Sequence, residues 1–423
     1  MMYLSLCVLL VATNQAFLTL GFQHGGISSF GARSGNKHLM MSAAADLKPL
    51  KELLEENKDH PHNNIPSTVI AKIGKNLHNQ ENHPLNTIKN IIVDYFNSNP
   101  DSLAGNPQFK LYDDLEPVAT LQANFDDLRI GPDHPSRALT DTYYVNDGLV
   151  LRTHTSAHQS EHLREGLDEF LCCGDVYRRD EVDRTHYPVF HQLEGVRVWR
   201  RSEIEGDELE FVTNDLKEGL SGLARALFGD CEMRWAEDYF PFTDPSFELE
   251  VLYNDKWLEV LGCGVIHPEV LTNAGRNLED DEIGWAFGLG LERLAMILFD
   301  IPDIRLFWSE DERFHKQFKA GEIKKFKSYS KYPPCLKDVS FWLAENNAMH
   351  PNDLFEVFRE NAGDIVEQVE LIDEFTHPKT GRASQCFRTT YRSMDRSLTD
   401  EEINAIQDKV RDELVDRFQV ELR

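Results

Sequence analysis

At 423 residues, with 41% hydrophobic and 10% aromatic residues, the chain has room for two domains plus an appendage and enough apolar content for a sizeable core, which excludes a disordered protein. A formal charge of −28 excludes a surface that binds polyanions everywhere, so any nucleic-acid contact has to come from local basic patches. Seven cysteines, with Cys172 and Cys173 adjacent and no C-x-x-C, fit neither a disulfide framework nor a zinc knuckle, and the composition reads as a reduced intracellular enzyme without a structural metal or a membrane span.

The first acidic residue is Asp46. Before it, Tyr3 to Ala12 is apolar but too short to cross a bilayer and suits a cleavable signal core, and a Ser/Gly-rich stretch with Arg33 and Lys37 follows. This order resembles the two-part presequences of algae with secondary plastids, and an ordinary mitochondrial presequence fits equally. Residues 1–42 are therefore expected to be an organelle-targeting address, sending the protein to the mitochondrial matrix, the plastid stroma or both. Met40 and Met41 offer an internal start for a second isoform.

The periodicity predicts a short helix over Leu47 to Asn57 and an amphipathic one over Asn86 to Phe96. Residues 108 to 310 mix short β-rich runs with helices at Leu209 to Leu227 and Leu291 to Phe299, an α+β pattern with no alternating βαβ units. Between Arg313 and Lys331 the bases Arg313, Lys316, Lys319, Lys324, Lys325, Lys327 and Lys331 stand against the single acid Glu322, and Tyr332-Pro333-Pro334 punctuates the chain. The division predicted is 43–312 for the main domain, 313–330 for a basic linker and 331–423 for a second domain. In that second domain Val339 to Leu343, Ile365 to Phe375 and Ser384 to Tyr391 read as strands. Asn352 is placed to cap a helix, and Thr399 with Glu402 forms a capping box for a last helix bearing Ile403, Ile406, Val410, Leu414 and Phe418 on one face. One further strand would complete a ferredoxin-like sandwich.

Two segments carry the chemistry. Phe170 to Trp199 reads as strand, polar loop, strand, with Arg178 at a strand end, where its planar fork suits a phosphate. His186 lies in the loop as a second donor, and Gln192 and Glu194 alternate onto one face of the returning strand, an acceptor pair for an ammonium group. A charged hairpin with a solvated loop gives the same pattern. Gly284 to Phe307 places Gly288 and Gly290 at a strand-to-helix turn open to a ligand, followed by Glu292 and Arg293 at the head of an apolar helix. Glu292 is explained by the helix dipole alone; Arg293 is not, and bound phosphate is a use for it. G-x-G-x-x-G is not matched, which excludes a dinucleotide fingerprint.

The two segments resemble motifs 2 and 3 of class II aminoacyl-tRNA synthetases, and in detail the phenylalanyl enzymes of the mitochondrial and plastid single-chain form. The matching stretches, in the family's order, are LYDDLEPVATLQANFDDLRIGPDHPSRALTDTYYV (111–145), LRTHTSAHQ (151–159), VYRRDEVDRTHYPVFHQLEG (176–195), YFPFTDPSFE (239–248), WLEVLGCG (257–264) and GWAFGLGLERLAM (284–296). The resemblance implies a catalytic domain on an antiparallel sheet with a ferredoxin-like anticodon-binding domain behind it. It implies ATP with Mg²⁺, L-phenylalanine and tRNA(Phe) as the partners of a monomer that holds no metal by protein ligands alone. His154, Ser156, Ala157, His158 and Gln159 match the loop that touches phenylalanine and the adenylate. Arg178 matches the arginine on the α-phosphate, Thr185, His186 and Tyr187 the ATP-binding loop, and Arg293 the arginine on the far phosphate. Gln192, Glu194 and Glu259 match the polar positions around the amino group. Phe240 and Phe242 match the aromatic pair against the substrate ring, with Gly262, Cys263, Gly264, Ala286 and Phe287 shaping the rest. Arg178, Arg293 and His186 would carry catalysis, and Arg382, Arg388, Tyr391, Arg392 and Arg396 would meet tRNA. Asp180 departs from the family, since many bacterial relatives have Glu there.

Two other functions compete: a silent paralogue that binds tRNA without charging it, and a class II ligase for another amino acid. The presence of both Arg178 and Arg293 weighs against the first. The Phe240/Phe242 pair and the small Gly262-Cys263-Gly264 wall weigh against the second. The domain division further predicts that a chain ending before Tyr332 keeps phenylalanine activation and loses tRNA charging.

Overall fold

The computed structural model describes residues 50–98, 100–105, 107–276, 281–328, 332–344 and 349–423; the presequence expected at 1–42 lies outside them. Long strands rich in aromatic and β-branched residues fold back beside one another, because turns such as Asn254-Asp255, both in the left-handed region, reverse the chain between them. The strands are β1 (Lys110–Tyr112), β2 (Val118–Thr120), β3 (Leu149–Leu151), β4 (Glu169–Tyr177), β5 (Val189–Arg200), β6 (Met233–Phe240), β7 (Thr243–Tyr253), β8 (Lys256–Ile266) and β9 (Glu282–Gly290). Seven of them form one sheet in the order β1-β4-β5-β9-β8-β7-β6, antiparallel throughout except for β1 against β4. β2 and β3 pair separately beside it.

Helices α1 (Pro84–Asn97), α2 (Glu208–Phe228) and α3 (Leu291–Phe299) bury apolar stripes in a shared core with this sheet. Leu85, Ile88, Ile92 and Phe96 of α1 repeat every three or four residues, as do Val212, Leu216, Leu220 and Leu223 of α2. Each such side chain removed from water contributes about 1.5–3 kcal/mol, which is what holds helices of middling propensity in place. Asp207 caps α2 by accepting from the Glu210 N–H at 3.0 Å.

Beyond residue 331 come β10 (Cys335–Trp342), α4 (Pro351–Ala362), β11 (Val366–Thr376), β12 (Ala383–Tyr391), α5 (Asp400–Phe418) and β13 (Glu421–Leu422). The sheet order β11-β12-β10-β13 is that of a ferredoxin-like sandwich, and the strand missing from the sequence reading is the two-residue β13, paired with Phe341 and Trp342. Thr399 caps α5 as expected, accepting from the Glu402 N–H at 3.3 Å. The cap of α4 is His350, while Asn352 instead donates to the carbonyls of Thr140 and Arg179.

Two expectations need correction. The basic stretch is not a linker along its whole length. Phe314 and Phe318 are buried in the main core with Phe326 packed against it, and the Phe326 N–H donates to Phe299 O, so residues 313–328 pack as an extension of the first half. Nor are the two halves independent. Val182, from the loop after β4, lies in the hydrophobic core of the C-terminal half, and Val369 N–H of β11 donates to its carbonyl at 3.0 Å.

Candidate active site

β5 and β9 lie side by side with Gln192 opposite Gly290 and Glu194 opposite Gly288. A Cβ at Gly288 or Gly290 would meet nothing within 4 Å, so the floor beside the two polar side chains is bare backbone, open to a ligand. Around it opens one cleft. His154, Ser156 and Gln159 line it from the segment after β3, and Arg178, Thr185, His186 and Tyr187 from the loop between β4 and β5. Gln192 and Glu194 line it from β5, Phe240 and Phe242 from the β6–β7 turn, Glu259 and Gly262 from β8, Ala286 and Phe287 from β9, and Arg293 from α3. Side chains drawn from across 139 positions of sequence, His154 to Arg293, thus converge on one cavity.

Three predicted residues stand behind its wall. Ala157 is buried; His158 is turned toward Arg152, whose Nη1 lies 3.0 Å from its Nε2. Burial first and then the Arg152 charge hold His158 neutral. Arg152 in turn donates to the Asp175 carboxylate at 2.6 Å, so this buried bracket shapes the loop rather than touching a ligand. Gly264 lines nothing either; a Cβ there would meet Pro245 O at 2.5 Å, so close packing against β7 explains it.

Electrostatics separate the two ends of the cleft. Glu194 is 3% exposed, and burial lifts its carboxyl to about 7 against the pull of the Ser156 hydroxyl, which donates to it at 2.5 Å. His154 is kept neutral, pushed down to about 3 by burial and the nearby Arg178 charge. At the other end, Arg178 Nε donates to Thr153 O at 2.8 Å with its guanidinium 5.2 Å from the Phe190 ring centre. In the β4–β5 loop Asp183 accepts from the N–H groups of Thr185 and His186 and lies 2.8 Å from His186 Nδ1. Burial would raise that carboxyl, but the His186 ring and the two N–H groups outweigh it and hold it well below the usual range, so the aspartate stays charged and fixes the turn.

Arg293 pairs with Glu259 at 3.3 Å, and the buried Oε1 of Glu259 has no hydrogen-bond partner among the described residues. On β7, Glu248 is lifted to about 8 by burial and then by Glu259 and Asp238, like charges that resist ionising together. The rings of Phe240 and Phe242 lie parallel, 5.9 Å apart and 10° from coplanar, forming one apolar wall.

The sequence reading missed Phe190, Thr155 and Thr243 as lining residues. Phe190 was within reach, since it shares the period-2 face of Gln192 and Glu194; Thr243 was not, because only the β6–β7 turn brings it inward. The tRNA residues fare unevenly. Tyr391 is fully buried and donates to Gln407, so it does not face solvent, while Arg392, 28% exposed, is ion-paired with Glu367 at 2.9 Å. Arg388 grips Asp338 through two 2.8 Å bonds, Arg382 pairs with Glu421, and Arg396 with Glu402.

Glu194 yields a pH prediction. Its ionised form attracts an ammonium group, and in the ligand-free enzyme that form dominates only above about 7. For a substrate with an ammonium group, kcat/KM should therefore fall about tenfold per unit below that point and level off above it. Steady-state activation kinetics from pH 5.5 to 8.5 read this, and Glu194→Gln should remove the break; a flat wild-type profile refutes it.

Comparison with known proteins places this architecture. Residues 69–318 match the family model of the class II tRNA synthetase core domain (F), and residues 330–423 that of the ferredoxin-fold anticodon-binding domain. The chain is 54% identical to the chloroplastic/mitochondrial phenylalanine–tRNA ligase of Arabidopsis thaliana over 370 residues, covering 86% of this chain and 84% of that one. It is 48% identical to the mitochondrial phenylalanine–tRNA ligase of Mus musculus, covering 86% of each, and 40% identical to that of Saccharomyces cerevisiae, covering 85% and 92%.

Proposed function

This chain belongs to the organellar phenylalanine–tRNA ligases, an enzyme charging tRNA(Phe) with phenylalanine at the expense of ATP, and on that premise we propose how its residues divide the work. The observation that carries the division is the buried Glu194 carboxyl at the foot of an aromatic-walled cleft whose far side holds Arg178 and Arg293. Gln192 and Glu194 take the amino group of phenylalanine, and its ring slides between Phe240, Phe242 and Ala286, while the Phe287 side chain packs into the core on the other face of the sheet against Phe96. The substrate carboxylate then attacks the α-phosphorus of ATP; a P–O bond forms, the bond to the β-phosphate oxygen breaks, and pyrophosphate leaves. Arg178 at the α-phosphate and Arg293 at the far phosphate spread the developing charge, with Thr185, His186 and Tyr187 closing over the nucleotide and Phe190 beneath its base. The terminal ribose hydroxyl of tRNA next attacks the acyl carbon and AMP departs.

Mg²⁺ would come with ATP; Glu259, which lines the cleft with an Oε1 that has no hydrogen-bond partner among the described residues, would help hold it, and the ion would offset phosphate charge. We read the C-terminal half as the anticodon module, with Arg382 and Arg388 still partly exposed to RNA. We further read the enzyme as a monomer of the mitochondrial matrix, the plastid stroma or both; the acid-free stretch before Asp46 supports an organellar address. ATP–pyrophosphate exchange across the amino acids, followed by tRNA charging, tests the whole reading. A silent paralogue would exchange nothing, and a ligase for another amino acid would peak elsewhere.

Selectivity tests the pocket. An apolar wall rejects an added hydroxyl only by about 10²-fold, because its strength is the uncompensated desolvation of that group. Ala286 lies opposite Val196 and Gly264 and lines the cleft, which supports our reading of it, by the family resemblance, as the wall at the para position of the ring. Ala286→Gly should raise kcat/KM for tyrosine or p-chlorophenylalanine relative to phenylalanine. If glycine slows all substrates alike, Ala286 is only a small strand residue.

A further inference from the structure

The face of β5 turned away from the cleft carries a contact that the reaction as described leaves unused. His191 sits between Phe190 and Gln192 and is fully buried. Its backbone N–H donates to Glu292 Oε2 at 2.8 Å, and its ring Nδ1 lies 2.7 Å from Oε1 of the same carboxylate. The rings of Trp308 and His78 pack against the imidazole at 5.9 and 5.1 Å.

This grip lies where the β5–β9 ladder stops. Its last register is Gln192 opposite Gly290, after which the chain turns into α3 with no side-chain cap. Two strands that part at such a point tend to splay, because the next N–H has no carbonyl across from it. The Glu292 carboxylate takes that carbonyl's place and carries the ladder one step further. The ring bond doubles the hold, and a buried carboxylate with two donors is both strongly and narrowly oriented.

The residues on either side of this joint hold opposite ends of the reaction. Gln192 and Glu194 continue from His191 and take the amino group, while Arg293 follows Glu292 and takes the far phosphate. The geometry points to His191 as a positioning residue for adenylate formation: through its two-point hold on Glu292 it fixes Arg293 relative to the strand that anchors phenylalanine. In-line attack depends on that distance, and a misplacement of about 1 Å costs about 10²-fold in rate. The inference rests on the placement of Arg293 and Gln192/Glu194 proposed above. A purely structural pair would instead lower the melting temperature and leave the chemistry of the folded enzyme alone.

ATP–pyrophosphate exchange on the full-length enzyme separates the two, run below the melting temperature of each variant. His191→Ala should lower kcat about 10²-fold while KM for phenylalanine moves by less than about threefold. His191→Asn places an amide nitrogen near the former Nδ1 and should recover about tenfold of that loss; His191→Gln, which cannot, should not. A folded His191→Ala with kcat within about threefold of wild type overturns the proposal, as does a folded His191→Asn no faster than His191→Gln. Should the alanine variant not fold, the Asn/Gln comparison decides alone. Arg293→Ala run alongside keeps the failures apart: if it exchanges normally the phosphate assignment itself is wrong, and if it is inactive beside an unaffected His191→Ala only the positioning role falls.

Discussion

Arg178→Ala is expected to abolish adenylate formation while leaving the protein folded. The guanidinium is fixed from two sides, by its Nε bond to Thr153 O at 2.8 Å and by the Phe190 ring 5.2 Å away, so its position is set before ATP arrives. A preorganised cationic donor aimed at developing negative charge is worth about 10²–10³-fold in kcat when a single such donor is removed, and a full charge in a partly dry cleft belongs at or above the top of that range. Arg178→Lys should recover little, because a point ammonium can neither hold the Thr153 carbonyl in the same plane nor present two parallel N–H groups. Pyrophosphate exchange combined with thermal unfolding reads both halves of the claim. Near-normal exchange in a folded Arg178→Ala enzyme removes the α-phosphate assignment.

Truncation before Tyr332 is the second large effect, and here the structure reverses what the domain division alone predicts. The β4–β5 loop, which we propose closes over ATP, is held by the C-terminal half. Arg359 donates to the carbonyls of Asp180 and Glu181, Arg184 reaches Glu367 at 2.7 Å, and the Tyr187 hydroxyl donates to Asp364. Arg305, itself 5% exposed, donates to Asp364 O, Arg392 O and Glu367 from the catalytic side. Removing residues 332–423 leaves Val182 exposed, takes Arg359 away from the loop carbonyls, and strips Arg184 of Glu367 and Arg305 of all its acceptors but Asp303. The truncated enzyme should therefore lose tRNA charging entirely and also suffer in activation, with KM for ATP up by about tenfold or more and a lower melting temperature. Arg359→Ala in the full chain should show the ATP effect in milder form, since it loses the two carbonyl contacts and its pairing with Glu356 but leaves the Arg184, Tyr187 and Arg305 contacts in place. A truncated protein that folds and activates phenylalanine at the wild-type KM for ATP would show that the loop organises itself.

The first prediction rests on a residue the sequence singled out, the second on contacts it did not show. Arg293 announces itself because a cation at the head of an apolar helix has no local reason to be there, whereas Arg178 on its hairpin is decided only with the family motif. Gln192 and Glu194 follow from period-2 alternation once the strand is recognised, and the structure seats both on the cleft. Thr399 capped its helix as expected, because capping is decided within one turn, while the Glu402 carboxylate went to Arg396 rather than back to the cap. By contrast, His158 and Gly264 share motifs with lining residues yet serve packing, and only the Arg152 bracket and the β7 backbone reveal it. Tyr391, an aromatic on a basic strand, looks like a base-stacking platform, but its position along β12 turns it into the core.

The sequence by itself determined the α+β class, the ferredoxin-like second half and the polar residues of the cleft. The class and the second half depend on local periodicity and caps, and Arg178, His186, Gln192, Glu194 and Arg293 on the placement of charge, all of which operate within a few residues; the other polar residues of the cleft followed from the family resemblance. Only the tertiary structure decided that the Lys-rich stretch packs through Phe314, Phe318 and Phe326, that β13 exists as two residues paired to β10, and that the β4–β5 loop is clasped by the C-terminal half. Each of these turns on partners far apart in the chain, 187 positions in the pairing of Val182 with Val369, and an exposed lysine carries no mark of whether the phenylalanine beside it is buried.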